Sequence, residues 1–288
     1  MSYYTMTLLS MLEIKNLSFG YSRKSLILKD ITLSLQDGHI YGLLGKNGAG
    51  KSTLLKNMVG LAVPVQGTCK FNGNNVAGRP VPVLEDIFFI AEELFVPSLT
   101  PAQFVANTAS FYPKFKQGDF YQYLKVLDVD SNAVMSKQSY GQQKKAMIAF
   151  GLAANTDLLV MDEPTNGLDI PSKVQFRKLI ASVQTESRCI IISTHQVRDL
   201  DSLIDTLLVL HNNEIIVNKS VDQVVEKLHF GMYTNTEGLA VLYEEENIRG
   251  KHAIVQNTTG EFSKPDIELL FNAIIGNHPS LLEILNAS

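Results

Sequence analysis

The chain has 288 residues, enough for one large domain or two. Hydrophobic residues make up 45% and charged residues 19%, a balance that excludes a disordered or fibrous chain and supplies material for a full core. A formal net charge of −4 gives no cause to expect a nucleic-acid partner, although it leaves room for a local basic patch.

Cys69 and Cys189 match no metal spacing and point to a reduced compartment. No stretch is long and apolar enough to cross a bilayer as a helix. The opening "MSYYTMTLLSMLEIKNL" lacks the basic and long apolar regions of a secretory signal. Residues 1–11 are expected to be an N-terminal extension. Either the first ten residues fray, or translation begins later. Met11 leads into the strand pattern "LEIKNLSF".

In chain order, "LEIKNLSFGY", "LILKDITLSL" and "DGHIYGLL" read as strands with turns over residues 12–41. The stretch "GLLGKNGAGKSTLL" (42–55) follows, with an apolar strand pattern before it and helical spacing after it. Gly45, Gly48 and Gly50 let the backbone curl and approach a ligand. Successive amides then point into one concavity at a helix N-terminus. Lys51 adds a mobile positive charge and Ser52 a hydroxyl that can reach a metal. The spacing Gly45-x-x-x-x-Gly50-Lys51-Ser52 is that of a phosphate-binding loop for a nucleoside polyphosphate with Mg2+. A glycine-rich strand–helix turn is the alternative, and the flanking strand and helix favour the phosphate loop.

Residues 67–76 predict a hairpin, and "IFFIA" (87–91) a buried strand. Thr100, Pro101 and Gln103 form a capping pattern that opens a helix to about Phe111. "GDFYQYLKVLDV" and "YGQQKKAMIAFGLAAN" predict two more, so residues 95–155 read as a helical insertion. Strands "LLVMDE" and "CIIIST" then alternate with helices "SKVQFRKLIASVQ" and "QVRDLDSLID". That alternation predicts a parallel sheet covered on both faces, with Cys189 in the core. "TLLVLHNNEIIVNKS" predicts a hairpin turning at Asn212-Asn213, and Ser220 with Gln223 a capping box. Beyond residue 230, "GLAVLYEEE" and "HAIVQNT" suit strands and "DIELLFNAIIG" an amphipathic helix.

Three further places carry chemistry. Asp162 and Glu163 end a buried strand, where open α/β sheets bind ligands. Asp162 can hold Mg2+ through water, and Glu163 can accept a proton from an attacking water. His195 ends the next strand, either as a structural residue or within reach of a terminal phosphate. "KQSYGQQKK" places Ser139, Gly141 and Gln142 at a helix start, which is either an ordinary cap or an anion site.

Taken in order from about residue 12 to 217, these motifs resemble the ATP-binding subunit of an ABC transporter. "GKNGAGKST" is similar to the Walker A loop of that family and "LLVMDE" to Walker B. "QSYGQQ" resembles the LSGGQ signature, with Gln138 for the leucine and Tyr140 for the first glycine. "NGLD", ending in Asp169, resembles the D-loop, His195 the switch histidine, and Tyr21 the aromatic that stacks on adenine. Where the family usually has a glutamine, this chain has Glu92, followed by Glu93.

The resemblance implies a P-loop NTPase (RecA-like) α/β core with an N-terminal antiparallel β subdomain, a helical insertion and a small C-terminal extension. The cassette would span 12–218 and the extension 219–288. The implied cofactors are ATP and Mg2+. The backbone of Lys46, Asn47, Gly48, Ala49, Gly50, Lys51, Ser52 and Thr53 would wrap the phosphates, with Lys51 on the β- and γ-phosphates. Ser52, Glu92 and Asp162 would serve Mg2+, Glu163 would polarise water, and His195 would hold the γ-phosphate. Ser139, Gly141 and Gln142 would face ATP bound to a second, head-to-tail ATP-binding subunit, in a homo- or heterodimer.

A separate transmembrane permease is the implied partner, docked near residues 92–99 and the helical insertion. Leu94, Phe95 and Phe104 are its candidate anchors or, equally, local core. The chain would be cytoplasmic, peripheral on the inner face of the plasma membrane, and an exporter component. The alternative is a non-transport ABC ATPase acting on nucleic acid or ribosomes. The coiled coil or clamp segments and the second ATP site expected of such proteins are not visible in the sequence.

Overall fold

The computed structural model describes residues 10–22, 25–248, 250–276 and 278–287. Most of the expected N-terminal extension, residues 1–9, lies outside them. Met11 is buried, and the first strand starts directly after it.

The chain begins with strands β1 (Leu12–Phe19), β2 (Leu28–Leu35) and β3 (Ile40–Leu44), then helix α1 (Lys51–Met58). Strands β4 (Gln66–Phe71) and β5 (Asn74–Asn75), helix α2 (Val81–Glu85) and strand β6 (Ile87–Ile90) follow. Three helices come next: α3 (Pro101–Thr108), α4 (Gln117–Val126) and α5 (Tyr140–Ala153). The α/β alternation resumes with β7 (Leu158–Asp162), α6 (Ile170–Val183), β8 (Cys189–Thr194), β9 (Thr206–His211) and β10 (Glu214–Ser220). The chain closes with α7 (Val221–Lys227), β11 (Leu228–Tyr233), β12 (Val241–Asn247), β13 (Gly250–Gln256), α8 (Ile267–Ile275) and α9 (Pro279–Asn286).

The central sheet has the order β10-β9-β3-β8-β7-β6, parallel except for the β9–β10 hairpin. Its inner strands are apolar on both faces because helices or a second sheet cover each side. Along β7, Leu158 and Val160 face one core while Leu159 and Met161 face the other. β8 alternates in the same way, with Cys189 and Ile191 on the first face and Ile190 and Ile192 on the second. The first face packs against α1 and an antiparallel sheet of order β2-β1-β4-β5.

The second face carries the helical region, centred on Phe150. Its ring lies 4.8 Å from Phe104 and 5.0 Å from Phe115, with Phe88, Tyr112 and Phe120 around it. Thr100 and Gln103 cap α3 reciprocally, as their spacing predicts, and Ser220 with Gln223 does the same for α7. The β9–β10 turn places Asn212 and Asn213 at φ 50° and 74°, the left-handed pair that a tight hairpin needs. A third sheet, β11-β13-β12, packs with α8 and α9 onto this second core.

The helix expected over "QVRDLDSLID" is absent. Only a 3-10 turn forms at Val197–Asp199. Long-range partners take its polar groups. Asp199 binds Lys173 at 2.7 Å and gives its carbonyl to Arg177, and Asp205 accepts from the Ile40 amide at the start of β3. Val197, Leu200, Leu203 and Ile204 are buried without a helix, and helical spacing alone did not distinguish the two outcomes. Strand β11 and helices α2 and α9 are further elements beyond the sequence expectation.

Candidate active site

The loop between β3 and α1 curls as its glycines allow. Gly48 and Gly50 have φ of 79° and 105°, and a Cβ on Gly50 would sit 3.0 Å from Ile27. α1 begins at Lys51 directly after this turn, so its free amides face the concavity. Lys51 is buried, and its Nζ donates to the Gly45 carbonyl at 2.8 Å. The loop thus holds the ammonium in place before any phosphate arrives.

A cleft of about 310 Å³ opens above the loop. It is lined by Ile27, by Lys46, Asn47, Gly48, Gly50, Lys51, Ser52 and Thr53, and by Glu92, Glu163 and His195 from the ends of β6, β7 and β8. Carboxyl ends of adjacent parallel strands have brought these last three together. Glu163 Oε1 lies 3.4 Å from Lys51 Nζ and 2.9 Å from His195 Nδ1.

Glu163 itself has φ 47°, a conformation uncommon for a glutamate and of the kind found where surrounding contacts over-determine the backbone. Those contacts are Ser193 and Lys144. Ser193 Oγ accepts from the Glu163 amide at 3.0 Å and donates to Asp162 Oδ1 at 2.6 Å. Lys144 Nζ, fully buried, donates to the Glu163 carbonyl at 2.7 Å and to the Asn166 carbonyl at 3.3 Å. Burial pulls the Lys144 ammonium below the usual lysine range, while Glu92, Glu163 and Asp162 act in the opposite direction.

The other candidate residues divide into four groups. Asp162 is buried beneath the cleft wall and engaged by Ser193. Tyr21 is exposed beside the cleft, edge-on to Phe19, with its hydroxyl 3.5 Å from Thr53 Oγ1. Ser139, Gly141 and Gln142 line a different concavity, with Tyr140, Lys145 and Gly167, Leu168 and Asp169. Ser139 caps α5 through the Gln142 amide. Asp169 caps α6 through the Ser172 amide, and hydrogen bonding from the Ser172 hydroxyl, then from its amide, holds the Asp169 carboxyl below the ordinary range. Among the candidate anchors, Leu94 and Phe104 pack against the core, and Phe95 is 95% exposed.

The donor set suits a magnesium ion beside phosphates. Mg2+ takes one or two side-chain oxygens together with phosphate oxygens and water, so it needs no protein-only cage. Among the described residues, no cluster of three or more His, Cys, Asp and Glu forms such a cage. The Ser52 hydroxyl and the Glu92 carboxylate share the cleft.

A family model described as ABC transporter matches residues 28–166. The lantibiotic transport ATP-binding protein SrtF of Streptococcus pyogenes is 30% identical over 232 residues, covering 74% of this chain and 92% of that protein. This chain belongs to the ABC transporter ATP-binding family. ABC transporter ATP-binding protein NatA of Bacillus subtilis is 26% identical over 251 residues, covering 83% of this chain and 99% of that protein. A solved ATP-binding subunit of an ABC transporter superposes with a TM-score of 0.67 at 26% identity, covering 75% of this chain and 92% of that one. A dimeric cassette in a post-hydrolysis state, bound to ADP and Pi, has the same fold, with a TM-score of 0.65 at 22% identity over 73% of this chain and 99% of that one.

The chain is therefore an ABC ATPase, the ATP-binding subunit that energises transport. Among the described residues no helix is long and apolar enough to cross a membrane. The ABC core has the expected P-loop α/β fold, antiparallel β subdomain and helical region. Sequence reasoning missed two residues that support Glu163. Ser193 is a polar residue inside an apolar strand, and Lys144 sits on the mainly buried face of α5; those mismatches with their neighbours were the available signals.

Proposed function

We propose that Glu163 is the general base of ATP hydrolysis and that each catalytic site is completed by a second ATP-binding subunit. The convergence of Lys51, Glu92, Glu163 and His195 on the phosphate loop supports this most strongly. The placement of Ser139, Gly141 and Gln142 in a separate concavity suits contact with a neighbour's nucleotide.

Backbone amides of residues 46–53 bind the phosphates, and Lys51 exchanges loop carbonyls for the β- and γ-phosphate oxygens. Ser52, Glu92 and Asp162 would hold Mg2+, and the cation, when bound, would offset phosphate charge. Glu163 takes a proton from the attacking water, and His195 holds the γ-phosphate. Tyr21 stacks on the adenine. Fixed positive and hydrogen-bonding groups aimed at the transferring phosphoryl group supply the rate enhancement.

Residues 12–218 act as the cassette and 219–288 as its extension. Two cassettes, identical or different, close head to tail and drive a separate permease at the inner face of the plasma membrane. The likeness to the lantibiotic transport ATP-binding protein SrtF is what supports an exporter. Phe95, exposed beside the Glu92 segment, suits the permease contact. A photo-crosslinker at position 95, used in native membranes, tests this. An adduct with a polytopic membrane protein is expected; adducts confined to ribosomal proteins or nucleic acid contradict it.

A further inference from the structure

Tyr140 stands where the resembled signature has a glycine, and its ring has to go somewhere. It is the first residue of α5, directly after the cap Ser139. The ring turns back onto its own chain. Gly167, at φ 80°, offers a bare backbone there, and a Cβ on it would lie 3.0 Å from Tyr140 Cδ1. The Tyr140 hydroxyl donates to the Glu92 carbonyl. Lys144 Nζ lies 5.3 Å from the ring centroid, within cation–π range. Glu92 Oε1 in turn accepts from Asn166 Nδ2 at 3.2 Å. Three segments thus meet in a closed triangle: the exit of β6, the start of α5 and the loop after β7.

The loop that leaves this triangle is tied again at its far end. The Leu99 carbonyl accepts from the Met135 amide at 2.8 Å, and the hydroxyls of Ser98 and Ser136 lie 3.0 Å apart. Residues 92–99 are therefore joined at both ends to the segment 135–140 that leads to Ser139. Phe95 lies between the two ties and is 95% exposed.

We propose that Tyr140 is a positioning residue that locks the start of α5 to the Glu92 loop, so that the Phe95 loop and Ser139 move as one body. This rests on the proposed role of Ser139, Gly141 and Gln142 toward a second subunit's ATP. Glu92 lines the cleft of its own chain, while Ser139 and Gly141 line the other concavity. A partner that displaces Phe95 therefore acts on both ATP sites, with Tyr140 as the tie nearest to them. A glycine at position 140 supplies neither the hydroxyl nor the ring, so the tyrosine is a gain of coupling in this chain.

Hydrogen exchange on the nucleotide-free full chain tests the tie, comparing the parent with Tyr140→Phe and Tyr140→Gly. Tyr140→Phe keeps the ring and removes one hydrogen bond. Exchange is expected to rise about fivefold, the order set by one such bond, in peptides spanning both 92–99 and 138–143. Peptides over the phosphate loop should not change. If only one of the two segments loosens, or neither does, the tie is overturned.

Steady-state ATP turnover gives the second readout. Both variants should lose about fivefold or more in kcat with Mg2+-free ATP affinity unchanged, and Tyr140→Phe should keep the parent's melting temperature. A Tyr140→Gly variant as active as the parent would show that the tyrosine is only tolerated in a glycine's place, and would overturn the proposal. A parent chain with no ATP turnover sinks the assignment of the catalytic groups instead, and the exchange result still decides the tie.

Discussion

Glu163 and His195 face each other from the ends of neighbouring strands, with Oε1 2.9 Å from Nδ1. The same carboxylate oxygen lies 3.4 Å from Lys51 Nζ, so one anion is shared between two cationic or potentially cationic groups. An arriving γ-phosphate competes with Glu163 for both. His195→Ala should therefore lower kcat by about 10²-fold, the cost of removing one preorganised donor, and change the KM for ATP little. Steady-state kinetics over a range of ATP concentrations checks this. A raised KM with kcat unchanged would place His195 in nucleotide binding alone.

Glu92 lines the cleft, and Glu93 is exposed beside it. A carboxylate near Mg2+ attracts the cation but repels the phosphates, so metal and nucleotide should respond oppositely to its removal. Glu92→Gln should raise the Mg2+ concentration needed for half-maximal hydrolysis, while metal-free ATP binding stays equal or tightens. Glu93→Gln should leave both unchanged. Titrating Mg2+ at fixed ATP for the two variants checks this, and a shift confined to Glu93→Gln would reverse the assignment.

Sites completed between subunits predict an asymmetric result in mixed dimers. Consider Lys51→Ala in one subunit and Ser139→Arg in its partner. Both defects then fall in one composite site, and the other site is intact. The mixed dimer should trap about one ATP, whereas a dimer with both changes in a single chain should have no intact site. Equal trapping in the two arrangements would contradict the head-to-tail geometry.

Both cysteines are free and buried. Burial pushes the Cys69 thiol up to about 12, and it raises Cys189 as well. The thiolate is the reactive species, so neither should label with a disulfide reagent at pH 8 until the protein unfolds. For Cys69 the sign follows from its raised folded-state pKa. Its contribution to stability is complete below the ordinary value of 9.0 and is lost as the pH rises toward about 12. Rapid labelling of either thiol in the folded protein would contradict this burial.

What was legible in the sequence was contiguous. The phosphate loop carries its glycines, lysine and serine between a clear strand and a clear helix, and Asp162 and Glu163 close an apolar run. The support of Glu163 was not legible, because Ser193 and Lys144 reach it from β8 and α5 across the fold. Leu94, Phe95 and Phe104 looked alike as apolar residues. Packing of the helical core buries part of Leu94 and Phe104 and leaves Phe95 outside. The expected helix after His195 failed for a related reason, since α6 and β3 supply the partners for Asp199 and Asp205.

The most direct test of Glu163 as general base is to measure ATP turnover and oligomeric state together for Glu163→Gln. The substitution keeps the side chain's shape and removes its basicity. ATP should still bind, turnover should fall by at least about 10²-fold, and size-exclusion chromatography with Mg2+ and ATP should show an accumulated dimer. Turnover close to that of the parent, with no ATP-dependent dimer, would contradict both the catalytic role of Glu163 and the shared site.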